Sequence, residues 1–358
     1  MGTAGVSATS SSSGGPNVTP GPMPGAGGGS GLTLDGSGLT MGGSSATGGA
    51  SDVMNGECAR QDFALQSRPA EILIVLDRSG SMKEKPSGSS GGSKWSLVVP
   101  GVNEVVTATN ATVSWGLKVF PEGEGDECAV DSVTSSITVP VAPTNAQAVT
   151  DAVTATTPEG NGTPTGDAVN AGVAYLKGLP DANPKFILLA TDGEPSCAGT
   201  NKSGTAARAL AVKAVTDAAA AGIKTFVVGV ATTKDSATQV LNDLAVAGQM
   251  ARTDTTAPAT KYYLASTKEE LVKSLELITG QAASCVFDLT KAPPDPGNIA
   301  VHINDMGAPK DPTHMNGWDY TDASYTRVEV FGSWCDQIKG ASANAVNFVL
   351  GCPGEVVH

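Results

Sequence analysis

The eleven residues from Ile72 to Met82, ILIVLDRSGSM, constrain the fold more than any other part of the chain. An apolar run from Ile72 to Leu76 stops at Asp77, and Ser79 and Ser81 follow on alternate positions with Gly80 between them. A short, continuous apolar run suits a strand buried on both faces, as in a parallel sheet. A strand that ends in a carboxylate and two hydroxyls is a poor way to build a core. It is a good way to place hard oxygen donors at the rim of a sheet, where they are expected to hold a divalent cation.

Downstream, helical and strand patterns alternate. The spacing predicts a helix over 94–107, with Trp95, Val98, Val102, Val105 and Val106 as its apolar stripe and Pro100 and Gly101 weakening its middle. Strands are expected at 112–120, at 137–141 as a short edge, at 186–190, at 223–230 and near 262–265. Helices are expected at 145–155, 167–179, 205–221, 236–247 and 268–278. The strand at 186–190 also ends in an acid, Asp192. Strands alternating with helices imply an α/β sheet with helices on both faces.

Both ends have a different texture. Residues 1–56 are dominated by Gly, Ser, Thr and Pro, and no Lys or Arg precedes Arg60. Such a composition buries too little apolar area to offset the entropy of ordering it. The expectation is a disordered tail, read either as a flexible tether or as an end with no spacing role. The expected division is therefore 1–56 tail, 57–284 α/β domain and 285–358 a small β-rich extension. Short strands are expected in the extension at 299–303, 324–331 and 345–350, between stretches rich in Pro and Gly. The Lys83–Ser93 segment, charged and then Gly/Ser-rich, reads as a mobile loop.

Charge excludes one class of partner. The formal net charge is −13, and phosphate backbones need a basic patch, so nucleic acid is not an expected ligand. No apolar run reaches the roughly 18 residues that a membrane span needs. The six cysteines, at 58, 128, 197, 285, 335 and 352, include no CxxC pair. Their even number and wide spread suit disulfides in an oxidising compartment, with buried reduced thiols as the alternative. The N-terminal MGTAGVSATSSSSGG has neither a basic nor an apolar leader region. Export is then expected to use a leader upstream of this start, or another route.

Three pieces share one chemistry. They are Asp77-x-Ser79-x-Ser81, the loop Gly160 to Gly166 before a helix, and Thr191-Asp192-Gly193-Glu194-Pro195 after the Phe186 strand. In an open α/β sheet, ligands sit at the carboxyl ends of the strands, where strand order reverses. The donors are two carboxylates and at least three hydroxyls, with no His or Cys. Oxygen-only donors select hard cations, Mg²⁺ first, or Mn²⁺ or Ca²⁺. Two negative charges balance one such ion, and a position left open would accept a partner's oxygen.

On these residues, 70–282 resembles a von Willebrand factor type A domain. DRSGSM at Asp77–Met82 is similar to the family's metal-ion-dependent adhesion site motif, DxSxS; GTPTG resembles its threonine loop, and TDGEP its final-aspartate loop. The resemblance implies a Rossmann-like sheet in the order 3-2-1-4-5-6 with one antiparallel edge strand. It implies metal coordination by Ser79, Ser81 and Thr163, with Asp77 and Asp192 acting directly or through water. Thr165 is expected to cap the following helix rather than bind metal, and Glu194 to be a solvated loop acid. The long insertion after Met82 departs from compact family members. Family domains often tie their two ends together, which suggests Cys58–Cys285. Cys128 and Cys197 are both expected on the metal side of the sheet, which suggests Cys128–Cys197. Cys335 and Cys352 flank the expected last hairpin of the extension, which suggests Cys335–Cys352.

The resemblance implies a non-enzymatic, adhesion-type module that presents its cation to an acidic side chain of a protein partner. The expected location is extracellular, periplasmic or attached to the cell surface. The alternative is an intracellular accessory subunit docking on an AAA+ ATPase. A metal-dependent hydrolase would need a base or second metal that the sequence does not offer. His302, His314 and His358 are too scattered for a metal site. Asp305, Asp311, Asp319 and Asp322 lie among Gly and Pro, where Asp usually makes turns rather than Ca²⁺ ligands. Asn161-Gly-Thr163 matches a glycosylation sequon, but a glycan there would cover the expected metal. With the Ala/Gly-rich composition, this suits a bacterial source.

Overall fold

A computed structural model of the chain describes residues 66–86, 91–122, 128, 133–160, 162–232, 234–253, 259–304, 306–339 and 346–350. The expected tail over 1–56 and the sequon asparagine lie outside these residues, as does the middle of the expected mobile loop after Met82.

Two residues, β1 (Gln66–Ser67), precede the long strand β2 (Ala70–Asp77). The chain continues through α1 (Lys94–Ala108), β3 (Val113–Phe120), β4 (Val139–Ala142), α2 (Ala146–Ala155), α3 (Thr165–Lys177) and β5 (Lys185–Thr191). Then follow α4 (Gly204–Ala220), β6 (Lys224–Val230), α5 (Asp235–Ala247), β7 (Tyr263–Ala265) and α6 (Lys268–Ala282). Six of the strands form one sheet in the order β4-β3-β2-β5-β6-β7. All its pairings are parallel except that of β4, the antiparallel edge. Numbered within the sheet, this is the 3-2-1-4-5-6 order that the resemblance implied. β2 is central, with Ile72 opposite both Trp115 and Phe186.

The unbroken apolar run of β2 has a simple cause. Ile72, Ile74 and Leu76 pack into one core with α1, α2 and α6, while Leu73 and Val75 pack into the other with α3, α4 and α5. Each such side chain, fully buried, stabilises the fold by about 1.5–3 kcal/mol. α1 runs through Pro100 without interruption. Gly101 is there because α6 lies against it: a Cβ on Gly101 would come within 2.7 Å of the Leu271 side chain. Strand order reverses beside β2, between β3 and β5, so the loops after β2 and β5 open into the same crevice.

The described residues after α6 form, with β1, a small β module. β8 (Val286–Asp288), β11 (Gly317–Tyr320) and β12 (Arg327–Phe331) make a sheet whose fourth strand is β1, from ahead of β2. β9 (Ile299–Ile303), β10 (Met306–Ala308) and β13 (Val346–Leu350) make a second. Phe287, Val301, Trp318, Val328 and Val330 fill the core between them. The segment 324–326, expected in a strand, is a turn gathered by Asp322, which accepts the backbone N–H groups of Thr326 and Arg327.

Two expected disulfides are overturned here. Cys335 lies on a helix, α7 (Gly332–Lys339), and is bonded to Cys285. The Cys58–Cys285 and Cys335–Cys352 pairings are therefore both excluded. The basis of the Cys335–Cys352 pairing also fails: β13 pairs with β9 rather than with β12, so Cys335 does not flank a hairpin. Cys58 and Cys352 lie outside the described residues. The Cys128–Cys197 bond is as expected. Among the described residues no helix is long and apolar enough to cross a membrane.

Candidate metal centre

β2 delivers Asp77 to the carboxyl rim of the sheet, fully buried. Its Oδ1 accepts the Ser79 N–H at 2.8 Å, and its Oδ2 accepts the Thr191 hydroxyl at 2.6 Å. The carboxylate thereby joins the ends of the two central strands. Immediately beyond, Gly80–Lys83 forms one 3₁₀ turn that sets Ser79 and Ser81 side by side, their hydroxyls 3.1 Å apart. The Ser81 hydroxyl donates to Asp192 Oδ1 at 2.9 Å. Ser79, Ser81 and Asp192 are thus one hydrogen-bonded chain of oxygens, with Asp77 behind it.

Thr163 reaches the same rim from the third loop. Gly160 and Gly162 hold φ of +88° and +85°, a left-handed conformation that glycine adopts without steric cost. The turn is stitched to the Ser79 loop by the Gly80 N–H to the Gly160 carbonyl and by the Glu159 N–H to the Arg78 carbonyl. It is stitched to the Asp192 loop at Ser196: the Thr163 N–H donates to Ser196 Oγ at 2.8 Å, and the Ser196 N–H donates to the Thr163 carbonyl at 3.1 Å. The Thr163 hydroxyl itself makes no hydrogen bond among the described residues.

Two minor expectations change. Thr165 does not cap α3; it is already the first helical residue, Pro164 stands at the cap, and the Thr165 hydroxyl is buried without a partner among the described residues. Glu194 turns away from the rim, pairing with Arg208 of α4 and accepting the Ser236 hydroxyl of α5.

The electrostatics are those of a site short of positive charge. Burial, and then the nearby charge of Asp192, raise the Asp77 pKa to about 6. Two buried carboxylates at one rim repel each other, and a doubly charged cation would relieve both. The donors are all oxygen, which suits a hard ion. Among the described residues no group of three His, Cys, Asp or Glu is arranged to hold a metal. A cation here would depend on the hydroxyls as much as on the acids.

Several contributors were not legible as site residues. Arg78, inside the motif, donates to the carbonyls of Pro121, Glu122 and Thr157, and so fastens two neighbouring loops to the rim. Lys118 is fully buried in β3 and binds Glu122 and the carbonyls of Thr134 and Ser136, closing the loop that carries Cys128. Lys94, the first residue of α1, reaches Asp192 Oδ2 at 2.7 Å. The long insertion after Met82 is pinned at its neck, where the Lys94 N–H donates to the Glu84 carbonyl at 2.8 Å.

No curated protein matches the chain. Among solved structures, the PilB minor pilin from Streptococcus sanguinis superposes with a TM-score of 0.46 at 18% identity, covering 60% of this chain and 61% of that one. The pilus adhesin SpaC from Lactobacillus rhamnosus GG gives 0.45 at 16% identity, covering 74% and 39%. Proximal thread matrix protein 1 from the mussel byssus, solved with a zinc-occupied MIDAS motif, gives 0.41 at 16% identity, covering 62% and 49%. The superposed region spans less than two thirds of each of these proteins. The family model for the von Willebrand factor type A domain matches residues 71–274, from the first residues of β2 into α6. The chain belongs to the von Willebrand factor type A domain family.

Proposed function

We propose that this protein is a metal-dependent binding module. Ser79, Ser81 and Thr163 would coordinate a divalent cation directly, Mg²⁺ or else Mn²⁺ or Ca²⁺, while Asp77 and Asp192 balance its charge directly or through water. An acidic side chain of a protein partner would complete the coordination. The observation that carries this reading is the hydrogen-bonded run Ser79–Ser81–Asp192, backed by the fully buried carboxylate of Asp77. The bound ion would supply the Lewis acidity that attracts the partner's carboxylate. The chain's own residues supply the oxygens and the rigid rim.

The Cys128–Cys197 and Cys285–Cys335 bonds favour an oxidising location, at the cell surface or outside the cell, over the intracellular ATPase-docking alternative. The division into an α/β domain over 57–284 and an extension over 285–358 is retained as a proposal, with β1 as a strand the extension borrows from the domain's leading edge.

The test is capture of carboxylate-bearing beads, against amide-bearing beads of the same size, by the immobilised protein. Magnesium should favour carboxylate beads, and EDTA or Asp77→Ala should abolish the preference. A preference for carboxylate beads that persists undiminished in EDTA would refute the reading.

A further inference from the structure

Lys94 is misplaced for helix stability. It is the first residue of α1, where the helix dipole disfavours a cation. Its side chain is nonetheless only 12% exposed, and its ammonium lies 2.7 Å from Asp192, whose side chain is 1% exposed. Both Asp192 oxygens are thereby committed, Oδ1 to the Ser81 hydroxyl and Oδ2 to Lys94. A second, solvated acceptor stands close by: Glu84 Oε2 is 3.7 Å from the same ammonium, on a side chain 71% exposed. The insertion's pinned neck holds Glu84 there, because the Lys94 N–H donates to the Glu84 carbonyl.

From this we propose that Lys94 is a tethered competitor for the cation site. Resting on the reading of the rim as a cation site, the proposal gives Lys94 the task of neutralising Asp192 until a divalent ion arrives. The ion then displaces the ammonium from Asp192 toward Glu84. An ammonium and a divalent cation on one carboxylate repel each other, and the repulsion is weakly screened when both are shielded from water. Lys94 therefore sets the affinity for metal below what the oxygens alone would give. It also keeps the two acids from facing each other uncompensated, which is costly in a buried site.

The experiment uses the full chain with its disulfides intact, stripped with EDTA and titrated with MgCl₂ in a calorimeter, beside thermal midpoints measured in EDTA. Lys94→Gln should bind Mg²⁺ at least about fivefold more tightly, at the lower end of typical coupling between linked sites. Its midpoint in EDTA should fall, and its gain on adding Mg²⁺ should exceed that of the unaltered protein. Lys94→Arg, which keeps the charge, should stay near the unaltered affinity. Should Lys94→Gln not fold, Lys94→Met carries the same test. Unchanged or weaker Mg²⁺ binding by the neutral variant overturns the proposal while leaving the cation site standing. Binding by the neutral variant alone supports it in its strongest form. Flat titrations for every variant remove the cation site, and the role of Lys94 with it.

Discussion

Two groups of aspartates in this molecule have opposite surroundings. In the β module, Asp311 accepts the N–H groups of Thr313, Met315 and Asn316 and the Thr313 hydroxyl, all from its own loop. These bonds, led by that from Asn316, hold its carboxyl well below the usual range. Asp322 is treated alike: burial alone would raise its pKa, but the hydroxyls of Ser324 and Thr326 and two N–H groups lower it on balance. At the rim of the α/β sheet, Asp77 is buried near Asp192 and raised instead. An acid saturated by its own loop staples a turn. An acid buried beside another acid, among hydroxyls, is arranged for a charge that comes from elsewhere. The same residue type, twice in each region, thus reads as scaffold in one and as site in the other.

Mutations that separate the two regions test this contrast. The largest effect should come from the disulfides. Removing Cys128–Cys197 by a double Cys→Ser change should lower stability by up to about 4 kcal/mol and also weaken Mg²⁺ binding, because Cys197 follows Ser196, which holds Thr163. Removing Cys285–Cys335 should lower stability by denaturant titration with no change in Mg²⁺ affinity. Equal effects of both on metal binding would erase the contrast. Next, Asp77→Ala should weaken Mg²⁺ binding by more than about a hundredfold, beyond the usual cost of losing an outer-shell partner. Asp311→Ala should leave it unchanged in the same calorimetric assay.

Smaller effects should appear in the β module alone. Asp322→Ala should cost about 1 kcal/mol, the modest net worth of partly exposed hydrogen bonds, without altering metal affinity. The smallest effect concerns acid. At Asp288 burial would raise the pKa, but hydrogen bonds and charges from Arg68 and Arg327 outweigh it and hold the carboxyl below its ordinary value. A depressed pKa means stability that is present above that value and lost as pH falls through the lower folded one. Asp288→Asn should therefore flatten the fall in thermal midpoint below about pH 4, by a small amount because the pair is partly exposed. A steeper fall would show that Asp288 is not held by its arginines.

The α/β half was largely legible because its elements are long and periodic. The run Ile72–Leu76 announced burial on both faces, and the helices from α1 to α6 start within about two residues of their expected positions. The three site loops were legible because each follows or precedes one of these long elements. The β module was not legible in the same way. β1 is two residues long and pairs with β8, far along the chain, so no local pattern marks it. α7 interrupts what read as a hairpin, and with it the reasoning that paired Cys335 with Cys352. At the site, the oxygens could be read from the motif, but Lys94 could not. Its part depends on α1 beginning beside Asp192, a tertiary fact on which residue spacing is silent.

The central claim is that the oxygens of Ser79, Ser81 and Thr163, with Asp77 and Asp192, form one divalent-cation site. Manganese titration of the full chain, followed by electron paramagnetic resonance of the free ion, tests it most directly. One saturable site is expected in the unaltered protein, released by excess Mg²⁺ and severely weakened by Ser81→Ala and by Thr163→Ala alike. Free manganese that rises in proportion to the amount added, or binding indifferent to both substitutions, would contradict it.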